Sequence, residues 1–205
     1  MKLAVLFALL GSAFCAGTQG HASGVAEPPL WANEDMFGNY QDAWKSLNQS
    51  ESTVYWLVVA TFDDDQASWG KNFTCLRVNE TNKNEMEKSV TSVFTFRNSS
   101  GDQEYTVREK VKAVFSYNYT NKENAIQYTL QNGTTLYDTL IFSDGETCDL
   151  FSVPYMNGGK RCELWVNGKN VDNIPQCCLF AYKFFCNPRG IKNHWAYKKN
   201  VCKKS

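Results

Sequence analysis

Residues 105–115 alternate with a period of two: Tyr105, Val107, Val111, Ala113 and Phe115 fall on one side, and Thr106, Arg108, Lys110 and Lys112 on the other. Only an extended strand sends successive side chains to opposite faces, so this stretch must be half-buried β-structure. Similar runs precede and follow it. Val54 to Phe62 is β-branched and aromatic, and Val90, Phe94 and Phe96 share a face. Ile126, Tyr128 and Leu130 lead into Asn132-Gly133, a strong signal for a tight hairpin. Leu136 to Ser143, Cys148 to Val153 and Arg161 to Val166 complete a set of about eight strands with short connections, an antiparallel meander. Closing such a meander into an up-and-down barrel removes its open edges and can leave room for one small guest. A two-sheet sandwich uses the same strands, and periodicity alone does not separate the two. Ahead of the strands, Tyr40, Ala43, Trp44 and Leu47 form the stripe of a short amphipathic helix, and Cys178 to Phe185 suits a second helix after Pro175.

The N-terminus reads as an export signal. Lys2 precedes the apolar run Leu3 to Leu10 and small residues through Gly17, too short to span a bilayer. Cuts after Cys15 or Gly17 discard Cys15, whereas a cut after Ala13 retains it. We read residues 1–17 as signal peptide, 18–30 as a flexible leader and 31–205 as one domain. Six Asn-x-Ser/Thr sites follow, at Asn48, Asn72, Asn79, Asn98, Asn118 and Asn132, which suits a secreted glycoprotein. The seven remaining cysteines are Cys75, Cys148, Cys162, Cys177, Cys178, Cys186 and Cys202. In an oxidising compartment they should pair and leave one over, and their spacing lacks the two tight clusters of a zinc site.

Charge excludes some partners. Lysines and arginines number 21 and aspartates and glutamates also 21, so no positive field gathers nucleic acid or anionic membrane. No cofactor or metal motif occurs, nor a nucleophile elbow, zinc-protease helix or phosphate loop, so an enzyme is not expected. The chemistry lies instead in acids placed on apolar faces. Glu109 stands two residues from Val107 and from Val111; Asp149 shares its parity with Phe151 and Val153; Glu163 shares its parity with Trp165. Burying a carboxylate costs several kcal/mol unless a cation or donor meets it. Arg161 is the one obvious internal partner. The run Asp63-Asp64-Asp65 before Trp69-Gly70 belongs in a loop at a barrel end, where an Asp can lean inward. Such an interior suits a small cationic amine, to which aromatic walls add cation–π attraction.

Short segments in the same order resemble the histamine-binding lipocalins of hard-tick saliva. They are Trp31-Ala32-Asn33-Glu34, Tyr40 to Leu47, Trp69-Gly70, Phe73-Thr74-Cys75, Glu109-Lys110-Val111, Glu123-Asn124-Ala125, Cys148-Asp149, Glu163-Leu164-Trp165 and Asp172-Asn173-Ile174-Pro175. The resemblance implies an all-β, eight-stranded antiparallel lipocalin barrel flanked by N-terminal and C-terminal helices. It implies a secreted, extracellular monomer that sequesters histamine, and serotonin too, to suppress inflammation at the feeding site. A lipocalin taking a lipid mediator or fatty acid, or a protein blocking a host factor through its surface, is the alternative. Carried over, the first amine site falls on Phe62, Asp64 or Asp65, Trp69, Glu109, Ile126, Tyr128 and Leu136. The second falls on Ser46, Trp69, Phe94, Asp149, Glu163 and Trp165. Phe62 replaces a tyrosine, Ile126 and Leu136 replace aromatics, and Ser50 stands where an acid is expected. A strict two-residue Asn132-Gly133 turn would set Leu136 opposite Thr129 rather than on the Tyr128 face. The resemblance also pairs Cys75 with Cys202 and Cys148 with Cys178; Cys162, Cys177 and Cys186 are additional to it, and we expect Cys162 to pair with Cys186 and Cys177 to stay free.

Overall fold

The computed structural model describes residues 27–99, 103–157, 159–187, 190 and 192–203; the expected export signal and Cys15 lie outside them. Eight strands run in chain order: β1 Tyr55–Ala60, β2 Thr74–Asn84, β3 Ser89–Arg97, β4 Tyr105–Val114, β5 Ala125–Thr129, β6 Thr135–Ser143, β7 Cys148–Ser152 and β8 Cys162–Asn167. Each pairs antiparallel with the next, and β1 closes the circle by pairing with both β2 and β8. The barrel, not the sandwich, is the architecture. The alternation on β4 is the inside–outside alternation of its wall: Glu109, Val111 and Ala113 are buried, and Arg108, Lys110 and Lys112 are exposed. Phe115 departs from the pattern. It lies past the end of β4, where no strand neighbour holds it inward, and is 52% exposed.

The Asn132-Gly133 turn is wider than two residues. Leu130 and Thr134 bond through the backbone, the Asn132 side chain accepts from the Thr134 N–H at 2.9 Å, and Gly133 takes a φ of +84°. Thr135 therefore faces Thr129, and Leu136 faces Tyr128.

One end of the barrel carries the helices. Asn33 caps α1, Glu34–Phe37, and Asp42 caps α2, Ala43–Leu47, accepting from the Lys45 N–H at 2.9 Å. The expected stripe is thus interrupted: Tyr40 sits in a 3-10 turn, outside α2, and stacks on Phe142. At the other end a short hairpin pairs Asp64–Asp65 with Gly70–Lys71 and turns Trp69 inward. The C-terminal helix α3, Gln176–Ala181, runs on as a π-turn to Cys186 and packs against the outer face of the barrel. A two-residue strand, His194–Trp195, pairs with β1 at Val59 and Ala60, beyond the ladder of β1 with β2 at Tyr55 and Trp56.

Three disulfides tie this layer down: Cys75–Cys202, Cys148–Cys178 and Cys162–Cys186, with Cys177 free and exposed. The first closes a separation of 127 residues, so the chain-entropy argument gives it roughly 3–5 kcal/mol.

Candidate functional site

Inside the barrel the side chains leave a narrow cavity of about 70 Å³. Aromatic and aliphatic groups form much of its wall. Trp69 lies against Phe94 with ring centroids 4.9 Å apart, and Phe94 against Trp165 at 6.1 Å. Into this apolar wall the strands project five carboxylates: Glu80 from β2, Glu109 from β4, Asp138 from β6, Asp149 from β7 and Glu163 from β8. Each is at most 9% exposed. Among the described residues no Lys, Arg or His lines the cavity.

The acids have few donors. Ser46 donates to Asp149 Oδ2 at 2.7 Å, Ser92 to Glu80 Oε2 at 2.7 Å, Tyr128 to Asp138 Oδ2 at 2.9 Å and the Trp165 indole to Glu163 Oε2 at 3.0 Å. The second oxygens of three of them, Asp138 Oδ1, Asp149 Oδ1 and Glu163 Oε1, are buried without a hydrogen-bond partner. An unsatisfied buried acceptor costs about 1–3 kcal/mol, more if charged. Three in one cavity mark it as a place where donors are to be supplied from outside.

Protonation follows from this setting. Burial pushes Glu163 up to about 8, with the charge of Asp65 adding to it. Burial, then Asp65, raises Glu109 to about 7. Glu80 rises to about 7 and Asp149 to about 6, burial again being the main cause in both. Asp138 is raised well above the usual range by burial and then by Glu163. Without a guest the cavity therefore holds protons near neutral pH, first because burial disfavours the charged carboxylates and then because removing the protons brings like charges together.

Most residues assigned from the sequence line this cavity: Trp69, Glu109, Ile126 and Tyr128 of the first set, and Ser46, Phe94, Asp149, Glu163 and Trp165 of the second. The two sets share one continuous space. Four assignments fall elsewhere. Asp65 is fully buried but stands behind the lining, its oxygens taken by the Tyr155 hydroxyl at 2.9 Å and by the N–H groups of Ala67 and Ser68. Asp64, its neighbour on the hairpin, points the opposite way, accepts from Gln66 and lines an outer depression. Phe62 packs on Phe73 at 5.8 Å and borders the same depression. Leu136, although level with Tyr128, is half-buried against the cluster under α2 and leaves the cavity position to Asp138 one step further along its face. Arg161 is not an internal counterion either: its guanidinium donates to the Thr61 carbonyl and it lines the outer depression.

Glu80 and Asp138 went unassigned. Asp138 shares its parity with Leu136 and Leu140, the same signal that marks Glu109. Glu80 follows Leu76 and Val78 on the inward face of β2, a strand absent from the set read from the sequence. Among the six Asn-x-Ser/Thr sites, Asn48, Asn72, Asn118 and Asn132 are exposed, and Asn79 and Asn98 are half-buried.

Residues 31–204 match the family model described as tick histamine binding protein. The chain is 34% identical over 204 residues to a male-specific histamine-binding salivary protein of Rhipicephalus appendiculatus, covering 97% of this chain and 96% of that protein. It is 36% identical over 154 residues to female-specific histamine-binding protein 1 of the same tick, covering 75% and 79%. In fold it is similar to AM182, solved as a serotonin complex, with a TM-score of 0.56 and 22% identity over 78% of this chain and 92% of that one. Insecticyanin of the tobacco hornworm Manduca sexta matches at a TM-score of 0.50 and 10% identity, over 76% and 82% of the two chains. The barrel is a lipocalin barrel, and the two Rhipicephalus relatives are named as histamine-binding proteins.

Proposed function

Since the chain belongs to the tick histamine-binding protein family, we propose that it is a secreted salivary lipocalin that sequesters host biogenic amines, histamine first and serotonin also, and so damps inflammation where the tick feeds. The observation that carries this reading is the set of buried carboxylates in a cavity that no cation among the described residues lines, three of them with an oxygen lacking any donor. An ammonium brings both the missing charge and N–H donors, and it exchanges for protons the acids otherwise hold. Charge-assisted hydrogen bonds of this kind are about twice as strong as neutral ones. The aromatic walls at Trp69, Phe94 and Trp165 favour the same guest.

In this reading Glu109, Asp138, Asp149 and Glu163 anchor the amine, while Tyr128 and Ser46 hold two of them in place. Phe62, Asp64 and Leu136 act at most on the shape of the barrel end. Residues 1–17 serve export, 18–30 form the leader, and 31–205 work as one glycosylated monomeric domain. A fatty acid or other anionic lipid lacks any basic group to meet its carboxylate here. Calorimetric titration of the glycosylated protein with histamine, serotonin and a fatty acid tests the proposal. Saturable binding of either amine, with none of the fatty acid, is expected; fatty-acid binding without amine binding overturns it.

A further inference from the structure

The cavity acids stand in two groups. Toward the end carrying Trp69 and the Asp64–Lys71 hairpin are Glu163, Asp138 and Glu109, which raise one another's proton affinity directly or through Asp65 behind them. Toward α2 are Asp149, held by Ser46, and Glu80, held by Ser92, and the charge of Asp149 acts on Glu80.

Strand register gives the spacing. Asp149 lies opposite Trp165, and Glu163 is two residues further along β8, roughly 7 Å along the strand. Glu80, Ser92 and Glu109 form one row across β2, β3 and β4, which puts Glu80 and Glu109 roughly 10 Å apart at the backbone. Phe94 and Trp165 occupy the wall between the groups, and both groups open onto the same cavity. Each keeps a buried acceptor without a donor, Asp149 Oδ1 at one end and Asp138 Oδ1 with Glu163 Oε1 at the other. Lys83, the cation acting on Glu80, is not a lining residue and spends its ammonium on the Gln49 carbonyl.

A monoammonium guest meets one group and leaves the other protonated. Histamine's second basic group is an imidazole, largely neutral at pH 7. An aliphatic diamine carries two ammonium groups that stay charged at neutral pH, as lysine does, on a chain thin enough for a narrow cavity. We propose that the cavity is a site for linear α,ω-diamines, with one ammonium between Asp149 and Glu80 and the other among Glu109, Asp138 and Glu163. The methylene chain lies along Phe94 and Trp165. This inference rests on the amine-binding reading and adds to it a ligand class and an anchor, Glu80.

Calorimetry at pH 7.5 with pentane-1,5-diamine, pentan-1-amine and histamine, on the intact disulfide-bonded protein, tests it. The diamine should bind at least about tenfold more tightly than the monoamine, the effect of one further charge pair. Glu80→Gln should reduce that advantage to less than about threefold, and Asp149→Asn should do the same should Glu80→Gln fail to fold. If histamine binds while diamine and monoamine bind alike, the diamine inference is wrong and the amine reading stands. Should none of the three bind, both fall. A diamine advantage that survives both substitutions also overturns the inference, because the second ammonium is then held elsewhere.

Discussion

Glu163→Gln should make the ligand-free protein more stable while making it a poorer amine binder, and the two effects should part company with pH. Glu163 is 4% exposed, and its carboxyl is raised from the ordinary 4.5 to about 8, by burial first and then by Asp65. A raised folded-state value means that the group's contribution is fully present below the unfolded value near 4.5 and is lost as pH rises through 8. At 1.36 kcal/mol per pH unit, keeping this acid inside costs the native state roughly 3 kcal/mol at pH 7 and nearer 5 above pH 8. Glutamine has the same shape, still accepts from the Trp165 indole and never ionises, so it escapes that cost. Urea denaturation across pH 5 to 9 should show the variant gaining little at pH 5 and roughly 2–4 kcal/mol at pH 8. Amine affinity at pH 8 should fall by about tenfold or more, since truncating one side of a buried charge pair removes its partner's compensation. The reasoning fails if the variant loses stability at pH 8, for that would make the carboxylate a structural partner of Trp165 and not an anchor retained for a guest.

Serotonin, whose ammonium does not titrate below pH 9, should bind about tenfold more weakly at pH 6 than at pH 8, because Glu109 near 7 must give up its proton first. Calorimetry in two buffers of different ionisation enthalpy should find protons released on binding at pH 7; no release would mean the acids are already charged. Ile126→Phe should shift the histamine-to-serotonin ratio by severalfold, as Ile126 lines the cavity, whereas Leu136→Phe should leave it within error. Equal effects of the two substitutions, by competition binding, would show that Leu136 reaches the guest.

The acids were legible because they violate a pattern that the strands otherwise keep. On β4 the alternation is clean enough that Glu109 can only point inward, and the same holds for Asp149 and Glu163. Asp138 obeys the rule equally, but a register shift between Leu140 and Phe142 breaks the parity of β6 further along. With Leu140, Ile141 and Phe142 in succession, that strand offers no single apolar face. Glu80 was hidden for another reason. Beyond Val78 the strand reads Asn-Glu-Thr-Asn-Lys-Asn, polar on both faces, and only its ladder with β3 keeps it extended. Local pattern cannot supply that, because the ordering comes from the neighbour.

What the sequence could not convey was depth. Parity separates inside from outside, but a barrel interior has a floor, a cavity and a lining that is one layer thick. Phe62 and Asp65 satisfy the inward pattern and still lie beyond that layer, one against Phe73 and the other bonded to Tyr155. Asp65 shows why the distinction matters chemically. Its own oxygens are occupied, so it offers little to a guest directly, yet its charge raises Glu109 and Glu163. It thereby adds to burial, the larger cause, in setting the pH at which those acids exchange a proton for an ammonium. A residue that never touches the amine can in this way govern when the amine binds, and its substitution should move the midpoint of the binding–pH profile more than it lowers affinity above pH 8.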